Sequence, residues 1–186
     1  QNKKKPPVGE VTDEEVVNII RHDEKLAHMT LDIRQHLTAN DIATADFIKG
    51  ELPSVTFSAR FIGGRRYDKL IEYNGEIPID LDKKTPEELA RISAAVTRSP
   101  FTHISFTSPK GNGYKLTVQT SLPDGTLPQS PEEVRNYHAH AYDQVAALYE
   151  ELCQTDIDES GKDMKRICYL PHDENAYLNP APQFLI

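Results

Sequence analysis

The run Ile79-Asp80-Leu81-Asp82-Lys83 sets two carboxylates two residues apart inside an apolar stretch. If residues 77–83 are extended, Asp80 and Asp82 point to the same face of a sheet, roughly 7 Å apart. Carboxylates that close repel unless a cation lies between them, and Mg²⁺ or Mn²⁺ would take such hard oxygen ligands. A solvated strand face running into a turn fits the same residues, and an Asp-x-Asp pattern alone does not choose. A second stretch, Phe106-Thr107-Ser108-Pro109-Lys110-Gly111-Asn112-Gly113-Tyr114-Lys115, carries two glycines. They permit a tight turn whose backbone N–H groups converge on an anion. Ser108, Lys110 and Lys115 would add a hydroxyl and two ammonium donors for phosphate. It is not a Walker loop, because the Gly-Lys-Ser/Thr ending is missing and a strand follows; an ordinary hairpin with solvated lysines is the alternative. The third stretch is Asp156-Ile157-Asp158, followed by Lys162, Asp163, Lys165 and Arg166. A carboxylate here could complete a metal site begun by Asp80 and Asp82, and Arg166 could hold a phosphate bidentately. Taken alone, the stretch is a polar connection between a helix and a strand.

Other titratable side chains point to less. His138 and His140 lie two apart on a helix, about 200° around its axis, and cannot chelate one ion. Both are expected on the helix surface. His103 is expected as a partly buried polar residue rather than a ligand, and His22, His28 and His36 as solvated positions. No Ser/His/Asp or Cys/His triad is visible. The two cysteines, Cys153 and Cys168, lack metal-ligand spacing, so reduced core thiols are expected.

The elements that must position these residues are marked by their caps. Thr12-Asp13-Glu14-Glu15 is a capping box opening a helix to about Arg21. Helices are predicted for Glu24–Leu37 and from Asn40 or Asp41 to Lys49. Leu52-Pro53 breaks the pattern, and Val55–Phe61 predicts the first strand. Leu70 to Ile79 predicts two strand-like pieces around the Asn74-Gly75 turn. Thr85-Pro86-Glu87-Glu88 and Ser130-Pro131-Glu132-Glu133 each combine an N-cap hydroxyl, Pro at the first helical position and Glu three after the cap. From the second of these, Val134, Tyr137, Ala141, Val145, Leu148 and Leu152 form the apolar stripe of a long helix. His103–Thr107 and Tyr114–Thr120 predict a hairpin, and Arg166–Leu170 a further strand. The fold class is therefore α+β with a mostly antiparallel sheet. A flexible lead and helical extension is expected over 1–50, and an α+β domain over 51–186.

With 186 residues the chain can bury a proper core. Its formal net charge of −8 argues against broad, charge-driven nucleic-acid binding but leaves room for a locally basic cleft. Arg60, Arg65, Arg66 and Lys69 form one basic group, and Lys83 and Lys84 another. No apolar stretch reaches membrane-spanning length and no signal peptide is visible, so no membrane partner and a cytoplasmic location are expected. The missing initiator Met and the apolar ending Pro182-Gln183-Phe184-Leu185-Ile186 suggest a piece cut from a longer protein.

Together the stretches resemble the archaeo-eukaryotic primase (prim-pol) superfamily, which has an Asp-x-Asp strand, a Ser/Gly-rich turn leading to a basic residue, and a later Asp with an Arg downstream. The chain is closer still to the VirE N-terminal domain family of mobile-element proteins. The run that carries this includes Lys49-Gly50-Glu51-Leu52-Pro53, Gly64-Arg65-Arg66, Tyr73-Asn74-Gly75 and Ile79 to Lys83. It continues through Thr107-Ser108-Pro109, Gly111 to Lys115, Asp158, Arg166-Ile167-Cys168, Asp173 and Asn179-Pro180. The resemblance implies an RRM-like sheet flanked by helices and two-metal nucleotidyl transfer from nucleoside triphosphates on single-stranded DNA. Asp80, Asp82 and Asp158 would hold Mg²⁺ or Mn²⁺, with Asp156 as the fallback for the third. Ser108, Lys110, Lys115 and Arg166 would contact nucleotide phosphates, and Arg65 or Arg66 would guide the template. A helicase-like domain C-terminal on the same polypeptide is a further expected partner. Lys115 stands where active primases usually carry His, and Lys110 where a small residue is usual. A non-catalytic nucleic-acid-binding module and a metal-dependent nuclease are the alternatives.

Overall fold

The structure is a computed structural model and describes residues 9–157 and 159–186. Three N-terminal helices begin where side chains satisfy the free N–H groups of the first turn. They are α1 (Asp13–His22), closed by the Thr12/Glu15 capping box, α2 (Glu24–Thr38), capped by Asp23, and α3 (Ile42–Glu51), capped by Asp41. The two later capping boxes, each with Pro in the first turn, open α4 (Pro86–Arg98) and α5 (Pro131–Cys153) as predicted.

Eight short strands make three antiparallel groups among the described residues. β1 (Ser54–Val55) pairs with β7 (Cys168–Tyr169), and β2 (Ala59–Phe61) with β3 (Leu70–Tyr73). The main sheet contains β4 (Glu76–Leu81), β5 (Thr102–Thr107), β6 (Tyr114–Gln119) and β8 (Tyr177–Leu178), in the order β4-β6-β5-β8. The β4-α4-β5-β6 run, with β6 inserted between β4 and β5, has the split β-α-β arrangement of RRM-like sheets. β8 then adds beside β5. The fold is thus α+β, mostly antiparallel and flanked by helices, with a helical N-terminal region.

Alternation along the strands separates two cores. Ile77, Ile79 and Leu81 of β4 join Leu116 and Val118 of β6 against Ile92 and Val96 of α4 and Ala141, Tyr142, Val145 and Tyr149 of α5. On the opposite face, Ile104 and Phe106 of β5 pack with Val16, Val17 and Ile20 of α1, Leu26 and Ile33 of α2 and Ala45 of α3. Helices therefore cover the β5 side of the second face, while Phe57 and Cys168 lie against the β4 side. The β4 side of that face carries Glu76, Pro78 and Asp80.

Three expectations are corrected. The strand predicted over Val55–Phe61 is broken into β1 and β2, which pair with different partners. The pieces around Asn74-Gly75 do not form a hairpin: β3 pairs with β2, and β4 with β6. Gly75 has φ +75°, and a Cβ there would lie 2.5 Å from the Thr120 carbonyl oxygen, so this glycine serves a close crossing between sheets. On α5 the buried stripe is Val134, His138, Ala141, Tyr142, Val145, Tyr149 and Cys153, while Leu152 is exposed. His138 is therefore interior, not on the surface. Its neutral ring is satisfied there: the Tyr73 hydroxyl donates to Nδ1 at 3.1 Å and Nε2 donates to the Gly161 carbonyl at 3.3 Å. Burial pushes its pKa down to about 4.

Candidate functional site

Antiparallel register determines what faces Asp80. It pairs with Lys115, which in turn pairs with Phe106, so Asp80 and Lys115 share the face opposite α4 and α5. The Lys115 ammonium donates to Asp80 Oδ1. The Arg166 guanidinium lies 3.5 Å from Asp80 Oδ2, so each carboxylate oxygen carries a cation. Both partners of the first pair are mostly buried, with side chains 14% and 15% exposed. Burial opposes charge on Lys115, but the negative groups around it (Cys168 when ionised, then Asp80 and Asp82) raise its pKa overall. Cys168 is itself pushed up to about 11 by burial, and so stays a neutral thiol near pH 7. Arg166 lies just before β7, outside the strand predicted to contain it.

Asp82 follows the end of β4, where Lys83 turns the chain with φ +57°. A Cβ at Gly113 would lie 2.9 Å from Asp82 Oδ1 and 3.1 Å from Ser108 Oγ, so both groups converge on that glycine. The Ser108 N–H donates to the Gly113 carbonyl at 2.8 Å, and the Gly111 N–H to the Ser108 carbonyl at 2.9 Å, closing the turn. Ser108 Oγ is buried and has no hydrogen-bond partner among the described residues. A buried hydroxyl left so beside a carboxylate calls for a partner, such as a water or a bound group.

Basic residues from the N-terminal helices frame the same turn. Arg34 of α2 lies against the carbonyls of Pro109 and Ser108, each at 3.4 Å. Lys110 is paired with Asp46 of α3 at 2.7 Å. Burial, then the neighbouring Lys110 and Lys115, lowers the pKa of Lys49, and Asp82 partly offsets this. An open groove of about 510 Å³ runs between α2 and the turn, lined by Arg34, Leu37, Thr38, Thr107, Lys110, Gly111 and Asn112. Beside Asp80 and Arg166 the free space is only about 10 Å³, room for one water at most.

The remaining expected residues lie nearby or apart. Arg65 donates to the carbonyl of Lys165 at 3.0 Å, next in the chain to Arg166. Arg66 is exposed and forks onto Asp68, with two contacts of 2.8 Å. Asp158 lies outside the described residues, and Asp156 is exposed beyond the end of α5. Gly161 returns the chain beside β4, so close that a Cβ would fall 2.8 Å from the Pro78 carbonyl oxygen.

Residues 47–178 match the family model described as BT4734-like, N-terminal domain. The chain belongs to the BT4734-like N-terminal domain family. No curated protein and no solved structure matches it. In this BT4734-like domain α1 and α2 precede the matched region, yet they complete the core over Ile104 and Phe106. No helix among the described residues is long and apolar enough to cross a membrane.

Sequence reasoning missed two features. Arg34 and Lys49 join the turn from the helical region; Lys49 was legible only as part of the Lys49-to-Pro53 run. The second is a buried cluster: among the described residues, Asp13, Glu76 and His103 present one donor atom each, all within 4.8 Å of one another, and could hold a metal ion. His103, expected as a partly buried bystander, lies at its centre. Both cysteines are free and buried, as expected.

Proposed function

We propose that this domain is a divergent primase-polymerase domain that transfers nucleotides from nucleoside triphosphates on single-stranded DNA. The observation that carries the proposal is the meeting of Asp80 with Lys115 and Arg166 beside the Ser108–Gly113 turn, which joins residues from three distant stretches. The groove by the turn has the volume of a nucleotide pocket, and Arg34, Lys110 and the turn suit polyphosphate. The orphaned Ser108 hydroxyl would donate to a phosphate oxygen. Asp80 and Asp82 are hard donors that fit Mg²⁺ or Mn²⁺. For Asp80 to do so, Lys115 and Arg166 must move onto the incoming phosphates, exchanging a carboxylate for an anion of greater charge. The bound ions would supply charge neutralisation at the reacting phosphoryl group. The protein's own share is positioning: Lys115 and Arg166 hold the phosphates, and Arg65 and Arg66, flanking that corner, meet the template. Single-stranded DNA, a helicase domain on the same polypeptide and a cytoplasmic setting belong to the same reading.

The test is nucleotide incorporation on single-stranded DNA, with and without primer, in Mg²⁺ and in Mn²⁺. Incorporation is expected, and Asp80→Asn/Asp82→Asn is expected to abolish it. Incorporation that survives the double substitution would overturn the assignment.

One observation favours a second reading, a nucleic-acid-binding module without catalysis: both Asp80 oxygens already carry fixed cations. That module would bind single strands in a salt-sensitive way, retain binding after Asp80→Asn, and incorporate nothing. A cleavage assay in the same buffers separates both from a metal-dependent nuclease.

A further inference from the structure

The main sheet holds a second charged cluster on the same face, at the far end of β4. Glu76 opens that strand and Asp80 lies four residues on, roughly 13 Å away along the chain. His103 comes from β5 at an irregularity of the ladder: Thr102 pairs with Val118 and Ile104 with Thr117, leaving His103 as the extra residue. Such a bulge re-aims a side chain, and here it turns the imidazole toward Glu76 and Gln119. Asp13 arrives from the first turn of α1.

We infer that Asp13, Glu76 and His103 form a binding site for a zinc-class divalent cation that clasps α1 onto the sheet. Three properties of the cluster support this: its geometry, its burial and its charge. His103 Nδ1 lies 2.8 Å from Glu76 Oε1, the bond that orients a metal-bound imidazole and leaves Nε2 for the ion. Nε2 faces Asp13 Oδ2 at 3.9 Å and makes no hydrogen bond among the described residues. That distance is too long for a hydrogen bond and a few tenths of an ångström beyond the roughly 3.3–3.6 Å between two tetrahedral ligands at about 2.0–2.2 Å, so an ion would draw the half-exposed Asp13 side chain inward. Burial adds a second line. The Glu76 and His103 side chains are only 3% and 7% exposed, while Asp13 keeps one side open at 42% for water to complete the coordination. Charge is the third. Two carboxylates beside one imidazole exceed what a single proton can neutralise, and a divalent ion balances both. With Glu76 held at Nδ1, the protein ligands are His103 Nε2 and Asp13, and an imidazole beside a carboxylate favours Zn²⁺, or Co²⁺ in its place, over Mg²⁺ or Ca²⁺.

This site is independent of the reaction proposed above and needs none of its residues. Its test uses the whole chain, stripped with a chelator and titrated with Zn²⁺ by calorimetry and with Co²⁺ by visible absorption. One equivalent of each is expected to bind, with a Co²⁺ spectrum showing nitrogen ligation and a rise in Tm under Zn²⁺ that equimolar Mg²⁺ does not give. Asp13→Asn, at a half-exposed position that does not threaten the core, is expected to weaken Zn²⁺ at least tenfold. His103→Gln is expected to remove the Co²⁺ spectrum, and Asp80→Asn to leave both titrations unchanged. Absence of stoichiometric Zn²⁺ and Co²⁺ binding would overturn the inference, as would binding that Asp13→Asn and His103→Gln leave intact.

Discussion

The two ends of β4 carry the same kind of residue on the same face and treat it in opposite ways. At the start of the strand Glu76 is sealed beside an imidazole and a second carboxylate, a set with too little positive charge. Near its end Asp80 sits between an ammonium and a guanidinium, with Asp82 also acting on the same ammonium, a set that already carries its own cations. The first end lacks a partner cation, whereas the second supplies its own, which the proposed reaction would turn onto nucleotide phosphates. A carboxylate's role thus follows from the charge of what the neighbouring strands bring to it, and strand position alone does not give it.

The largest expected effect comes from removing one partner at the cationic end. Asp80→Ala would leave the Lys115 ammonium mostly buried and unpaired, costing about 3 kcal/mol in urea unfolding. Adding Lys115→Met should return most of that loss, since a buried pair is worth little beyond its own desolvation. If Asp80→Ala costs nothing, the pair is too well hydrated for the contrast between the two ends to hold.

Acid unfolding sharpens the contrast, provided a third group is subtracted. His138 has a pKa of about 4 when folded and about 6.5 when unfolded, because burial disfavours its charged form. Below pH 6.5 the unfolded chain takes up a proton that the folded protein refuses until about pH 4. Stability from this group is therefore complete above pH 6.5 and falls by about 3 kcal/mol as the pH drops to 4. Denaturant midpoints measured across this window should show that loss, and His138→Phe should flatten it. An unchanged slope in the variant would assign the acid sensitivity elsewhere.

The smallest effect concerns the turn. Gly113→Ala would press a methyl against Asp82 Oδ1, the Leu81 carbonyl and Ser108 Oγ, and is expected to cost about 1–2 kcal/mol through crowding. It should lower nucleotide affinity, read by fluorescence polarisation with a labelled triphosphate, and leave Zn²⁺ binding untouched. A change at the zinc end instead would mean that the two ends are not independent.

Much of this is legible in the sequence. Helix starts are, because capping boxes and first-turn prolines act over four residues and need no tertiary partner. The β5–β6 hairpin is legible for the same local reason. The Asn74-Gly75 junction misled, because the positive φ it supplies serves a crossing pressed on Thr120 and no hairpin. The α5 stripe is rotated from the expected one: His138 is passed over as polar, and Tyr142 and Tyr149, one position beyond Ala141 and Leu148, take the buried line. Asp80, Lys115 and Arg166 were named from sequence, but their mutual pairing depends on strand register and on the path of the chain before β7. The cluster of Asp13, Glu76 and His103 was out of reach: its members lie on three separate elements, and one of them is aimed by a bulge that no local pattern announces.

The N-terminal helices have a practical consequence for anyone handling this family. The matched region starts inside α3, and a chain trimmed to that boundary would lose α1 and α2. Ile104 and Phe106, now sealed beneath them, would then face water as a bare apolar strip beside the short edge strand β8. Such a strip promotes self-association. Insolubility of a trimmed version would therefore report the loss of a lid, and would say nothing against the sheet beneath it.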